Sequence, residues 1–355
     1  MRVPIKGRGA VDNPAGRFDH LTKQPEDDGW YRAAEGVPSI QTSVEVDHAR
    51  RVIAYNDSPD VPFDRSINPY RGCEHGCSYC FARPSHAYLG LSPGLDFESR
   101  LFYKPDAAEK LRRELSAPGY ACAPIALGVN TDAYQPIEKR FQLTRALLEV
   151  LLEARHPVYL ITKSALIERD LDILQQMAEA SLVGVAVSLT TLDADLERRL
   201  EPRAAGGKRR LRVIETLAKH GIPVSVSVAP VIPVLTDPEL ERLLEAARAH
   251  GAQAAGFVML RLPHELQGLF ASWLETHYPL KAAHVLNTLR QMHGGALYRS
   301  QFGRRGRGDG AYADVVAQRF RMACRRLGLS EHTAALDCGQ FRPPTPAGGQ
   351  LALFS

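Results

Sequence analysis

Three of the chain's six cysteines fall within eight positions of the stretch RGCEHGCSYCFARPSH, residues 71–86. Cys73, Cys77 and Cys80 have the spacing C-x3-C-x2-C. An odd number of thiols this close leaves one unpaired in any disulfide framework, so a metal is the better assignment. Two metal chemistries stay open at this point. A structural zinc closes its tetrahedron with a fourth protein ligand, and His75 and His86 stand nearby. An iron–sulfur cube held by only three thiolates keeps one iron free of protein ligands. A free iron is a place for chemistry.

Two further stretches bear on partners. Between Arg299 and Arg326 the chain carries eight arginines and two aspartates. Within it, FGRRGRGDG sets Arg304, Arg305 and Arg307 on a glycine-rich backbone that can approach a polyanion, the footprint of phosphate contacts and a pointer to nucleic acid. A solvated helix face with a loose loop would give the same composition. Near its end the chain reads GGQLALFS. Gln350, Leu351, Leu353 and Phe354 resemble the peptide by which bacterial proteins dock on the replication sliding clamp. One amide and three apolar anchors behind a Pro/Gly-rich tether suit such short-peptide docking.

The elements that must position these groups follow from apolar runs and their periods. The chain has 355 residues, 45% of them hydrophobic and 24% charged, with a net charge of +4. That is an ordinary balance for a globular protein with a sizeable core, and any basic surface has to be local. No apolar run is long enough for a membrane span, and a cysteine cluster suits the reducing cytoplasm, so a cytoplasmic protein without a membrane partner is expected. Residues 1–60 lack a sustained period and read as an extended arm. From there strands and helices alternate. Apolar runs at 124–129, 157–162, 183–190, 223–230 and 254–260 read as buried strands, between helices at 105–117, 143–155, 209–221 and 237–251. With one more strand near 66–69 there are about six parallel strands, too few for a closed eight-stranded barrel. The fold expected is α/β: an open, partial TIM-type (β/α)6 barrel over 61–262, with the N-terminal arm and a C-terminal helical extension. That extension, rich in arginine, covers 263–330, and a flexible tail is expected over 331–355.

The motifs in order resemble a known family. C-x3-C-x2-C with Tyr79 before the last cysteine, on a loop after a first strand, is similar to the radical S-adenosylmethionine (SAM) superfamily. SINPYRGCEHGCSYCFARPSHAYLGLSPGLDFE, NTDAYQPIEK, ITKSALIERDLD, SLTTLD and EPRAAGGKRRL resemble its spore photoproduct lyase-like branch, also called DNA repair photolyase-like. The resemblance implies that Cys73, Cys77 and Cys80 hold a [4Fe–4S] cluster whose free iron binds SAM. An electron from a donor such as flavodoxin or ferredoxin then cleaves SAM to a hydrogen-abstracting 5′-deoxyadenosyl radical. It implies a SAM-binding role for Tyr79, for Asn130, Thr131 and Asp132, and for Lys163, Ser188 and Thr190 at strand ends. Glu201 and Arg203 would be a further pair reaching the cofactor. Each polar group between strand and helix could instead serve as a helix cap. The cysteine that spore photoproduct lyase uses as hydrogen donor has no clear counterpart among Cys122, Cys324 and Cys338. Modification of RNA, a peptide or a small molecule remains the alternative within enzymes, and a zinc-bound nucleic-acid protein the alternative outside them.

Overall fold

The computed structural model describes residues 5–19 and 40–344. Ten strands run in chain order: β1 (Ser43–Val46), β2 (Ile53–Tyr55), β3 (Arg65–Ile67), β4 (Tyr70–Arg71), β5 (Arg100–Tyr103), β6 (Ile125–Leu127), β7 (Val158–Thr162), β8 (Val183–Ser188), β9 (Val224–Val231) and β10 (Ala254–Met259). Seven of them form one sheet in the order β10-β9-β8-β7-β6-β3-β2. Within it β3 and β6 to β10 pair in parallel. The apolar runs thus give an open barrel of six parallel strands. β2 adds an antiparallel edge, with Ile53 opposite Ile67.

The central strands β6 to β9 are short and largely buried because helices cover their outer face. Ile125, Ala126 and Leu127 of β6 have no exposed surface, and Leu147, Leu148 and Leu151 of the helix Leu143–Glu153 are equally buried. The helix Gly207–Lys219 buries Leu211, Val213, Ile214 and Leu217 in the same way. Ala186, Ser227 and Ala229 are partly open between buried neighbours along β8 and β9, and the edge strand β10 is exposed at Gly256 and Val258.

Two expectations need correction. The segment 1–60 is not wholly without regular structure, since it supplies β1 and β2. β1 pairs in parallel with β5, which pairs antiparallel with β4, making a second, three-stranded sheet beside the cysteine loop. These strands are too short to show a period in sequence. Nor do residues 331–344 form a flexible tail. Tyr159 donates to the Ala334 carbonyl (2.8 Å), Gln340 to the Ala180 carbonyl (2.8 Å), and the Phe341 ring packs on Tyr120 (5.5 Å) and His156 (5.3 Å). A few anchoring side chains fix a segment whose composition reads as loop. Gln350, Leu351, Leu353 and Phe354 lie outside the described residues.

Beyond the barrel, helices Leu266–His277 and Pro279–Met292 pack their apolar sides on the cysteine loop: Phe270, Trp273 and Val285 share a core with Cys77 and Tyr79. The helix Ala311–Leu327 turns back onto the barrel. Its Arg319 pairs with Glu241 (2.7 Å) and its Arg326 with Glu245 (2.6 Å). Part of the arginine-rich stretch is thus engaged within the chain. No helix among the described residues is long and apolar enough to cross a membrane.

Candidate active site

The cysteine loop leaves β4 at Gly72 and closes with a short helical turn at Arg83. Cys73 and Cys77 are buried and Cys80 is half-buried. A buried ion pair holds this loop from beneath. Arg83 and Glu98, both without exposed surface, meet at 2.5 Å. The same guanidinium donates to the carbonyls of Cys77 (2.8 Å), Gly76 (3.1 Å), Gly94 (2.9 Å) and Pro93 (3.2 Å). Glu98 in turn accepts the N–H groups of Gly9 (3.0 Å) and Ala10 (2.7 Å), which seats the N-terminal arm against the loop. Two glycines are required here. Gly76 has φ +66°, and a Cβ on Gly9 would stand 1.7 Å from the Gly76 carbonyl oxygen.

Burial pushes all three thiols above their ordinary value, aided at Cys73 by Asp132 and at Cys77 by Glu201. At Cys80 the backbone N–H groups of Ala82 and Arg83 oppose the rise. Thiolates in such a place call for a metal partner, and N–H donors aimed at sulfur are among the features that tune iron–sulfur clusters. The Ser78 hydroxyl, in the middle of the loop, is buried without a hydrogen-bond partner. The donor set fits a three-thiolate cluster. The two histidines near the loop each have one ring nitrogen engaged. His75 faces Asp132 (3.3 Å) and His86 Nε2 meets the Arg100 carbonyl (2.9 Å).

The polar groups singled out in sequence do collect at the ends of the parallel strands, in two networks. In the first, the Asp132 carboxylate accepts from the backbone N–H groups of Tyr134 (2.9 Å) and Lys163 (2.7 Å) and the Thr162 hydroxyl (2.8 Å), beside His75. Burial would raise its pKa, but His75 and these donors outweigh burial and hold it down at about 2. In the second, buried Glu201 accepts from the Tyr79 hydroxyl, from Thr190 (2.8 Å) and from Arg210, with Lys163 Nζ at 3.9 Å. Here too burial works upward, and Arg210 with Lys163 brings the carboxyl down to about 2. Arg210 also holds the carbonyls of Ser188 (3.1 Å) and Ala205 (2.6 Å).

The remaining residues divide by what they touch. Thr131 donates its hydroxyl to the Tyr70 carbonyl (3.0 Å), fastening β4. Asn130 is exposed, its backbone N–H held by Asn68 (3.0 Å). Arg203 is exposed and pairs with Glu74 at 3.1 Å. With His75, Tyr134, Ser164 and Ala205 it lines a cavity of about 400 Å³. Lys163 Nζ lies 5.9 Å from the centre of the Tyr79 ring. Of the arginine loop, Arg304 pairs with Asp309 (3.3 Å), Arg305 with Asp60, and Arg307 is exposed. Sequence reasoning missed Arg83, Glu98 and Arg210. A charged residue reads as surface unless its partner is known, and these partners stand nine or more positions away.

The geometry is that of a radical-type cysteine loop over an open barrel, and the comparisons agree. The model of the radical SAM superfamily matches residues 67–247, about half the chain, and the chain belongs to that superfamily. Enzymes of that superfamily use a [4Fe–4S] cluster and SAM. It is 38% identical over 221 residues to an uncharacterized protein of Mycobacterium tuberculosis, 62% of this chain and 65% of that one. To an uncharacterized protein of Methanocaldococcus jannaschii it is 28% identical over 173 residues, 49% of this chain and 62% of that one. The chain therefore spans a little under two thirds of these relatives' length. Spore photoproduct lyase complexed with dinucleoside spore photoproduct has a similar fold, with TM-score 0.57 over 81% of each chain at 15% identity.

Proposed function

We propose that this enzyme abstracts hydrogen from a nucleic-acid strand, DNA in preference to RNA, in a reaction of the lesion-repair kind. The observation that carries the reading is the glycine–arginine loop, where Arg304 and Arg307 are exposed and able to meet phosphate beside the exposed ring of Phe302. The likeness in fold to a lyase complexed with a dinucleoside photoproduct supports it. Cys73, Cys77 and Cys80 would hold the cluster, which with SAM would supply the hydrogen-abstracting chemistry. The chain's own residues do the rest. Lys163 and Arg203 would pair with the cofactor's carboxylate, Arg203 through its fork of donors. Asn130 and Ser188, at strand ends, would take its polar groups, and the Tyr79 backbone its adenine. Asp132, Thr131, Thr190 and Glu201 act one step back, orienting His75, β4, Tyr79 and Lys163. The loop stays rigid because its carbonyls are tied to Arg83.

The described residues place no further cysteine beside the loop. Cys122 stands with Cys338, and Cys324 is buried in the helix Ala311–Leu327. Hydrogen return through a cysteine, as in spore photoproduct lyase, is therefore not part of the proposal. The reductant is an external flavodoxin- or ferredoxin-like donor, and the setting is cytoplasmic. The test is incubation of the reduced enzyme with SAM and deuterated candidates. Deuterium passing from DNA into 5′-deoxyadenosine supports the reading. Deuterium passing only from RNA, peptide or small molecules overturns it.

A further inference from the structure

The two edges of the large sheet, β2 and β10, do not pair, so the barrel is open along one side. Two loops meet across it. One is the β2–β3 connection, residues 56–64. The other is the glycine–arginine loop, anchored on β10 by the bond from Met259 N–H to the Gly306 carbonyl (2.9 Å). The contact between them centres on the carboxylate of Asp60, with the Ser58 hydroxyl beside it. One oxygen of Asp60 accepts the Gly303 N–H (2.6 Å), and the other takes Arg305 Nε. A second nitrogen of Arg305 donates to the Ser58 hydroxyl (2.5 Å). The Arg305 guanidinium lies over the ring of Phe302 at 4.6 Å, and that ring is half exposed.

The charge of Arg261 also acts on Asp60, and Arg261 rests on the exposed ring of Phe81, the neighbour of Cys80, at 5.0 Å. Its Nε is buried without a hydrogen-bond partner. Arg307 is exposed close by in sequence. A backbone N–H and a guanidinium, each on a different oxygen of one anion, is a pattern that also suits the two non-bridging oxygens of a phosphodiester. An exposed aromatic next to such a site is where a base of a single strand would stack.

We infer that Asp60 occupies, in the free enzyme, an anion site that a backbone phosphate of the nucleic-acid strand takes when the strand enters through the open side of the barrel. The carboxylate is thus an internal competitor of the substrate, and the latch opens as the phosphate replaces it. An ion pair still in contact with water is weak enough to exchange in this way. The inference rests on the nucleic-acid reading above, and its test separates the two.

Binding of a fluorescein-labelled single-stranded oligonucleotide is measured by anisotropy at low and moderate salt for the full-length wild type, Asp60→Asn, Arg305→Gln and the double variant. Titration with inorganic tripolyphosphate is run beside it. Removing the competitor should tighten oligonucleotide binding about three- to tenfold, and Asp60→Ser should do the same. Arg305→Gln should weaken binding, and the double variant should match Arg305→Gln. If the wild type binds the oligonucleotide and neither Asp60 variant binds it more tightly, the latch is only a structural tie and the inference is overturned. If no variant binds the oligonucleotide while Asp60→Asn gains tripolyphosphate affinity through Arg305, the anion site stands and the nucleic-acid reading falls.

Discussion

Replacing Arg83 by Met should release the cluster without touching any of its ligands. The guanidinium is fully buried, meets Glu98 at 2.5 Å and donates to four carbonyls on and beside the cysteine loop. Methionine fills much of the same volume and supplies none of those donors. Removing one partner of a buried ion pair leaves the other charge uncompensated and costs about 3–5 kcal/mol. The loss falls on the segment that carries Cys77 and the Gly76 turn, so it should appear first as local opening. At the lower figure the open population rises by about two orders of magnitude. The assay is iron loss to a chelator, followed by absorbance in anaerobically prepared protein, and Arg83→Met should lose iron about a hundredfold faster. Arg83→Lys keeps the charge but not the fork, and should fall between. Wild-type iron retention in Arg83→Met, with an unchanged melting temperature, would refute the reasoning.

Three more outcomes are expected. Gly9→Ala places a methyl group against the Gly76 carbonyl, an overpacking worth about 1–3 kcal/mol, and should lower the iron content of the purified protein while far-ultraviolet circular dichroism stays unchanged. His156 is buried as the neutral ring, between Tyr120 (2.8 Å) and the Pro157 carbonyl (3.0 Å), and burial lowers its pKa from 6.5 to about 4. The unfolded chain binds the extra proton first, so this stability is whole above pH 6.5 and falls by up to about 3 kcal/mol as the pH drops to 4. Denaturant melts of His156→Gln should lack that part of the slope. Changing Leu353 and Phe354 together to Ala should abolish binding to a purified sliding clamp and leave 5′-deoxyadenosine formation intact; a fall in melting temperature instead would mean that the peptide packs on its own chain.

Much of the barrel was legible because buried parallel strands are continuous apolar runs, as in Val183–Ser188 and Val224–Val231. The cysteine loop was legible because thiols at that spacing have few other uses. The second sheet was not, since β1, β4 and β5 are too short to carry a period and pair across long stretches of chain. Buried arginines were not legible either. Arg83 sits next to Pro84 and reads as loop surface until Glu98 is brought beneath it. Asp60 and Arg305 lie 245 positions apart, and composition alone left open whether that stretch meets phosphate or is a solvated helix face with a loose loop. Glu201 shows a subtler limit: its place in the EPRA motif was plain in sequence, but its saturation by Tyr79, Thr190 and Arg210 depends on three separate elements meeting.

The most direct test of the central claim is reductive cleavage of SAM by anaerobically reconstituted protein, with 5′-deoxyadenosine and methionine quantified beside iron and sulfide. The wild type should carry about four iron and four sulfide per chain and form 5′-deoxyadenosine on addition of dithionite. Cys73→Ala, Cys77→Ala and Cys80→Ala should each form none while keeping their secondary structure. Continued 5′-deoxyadenosine formation by the variant lacking all three cysteines would contradict the account.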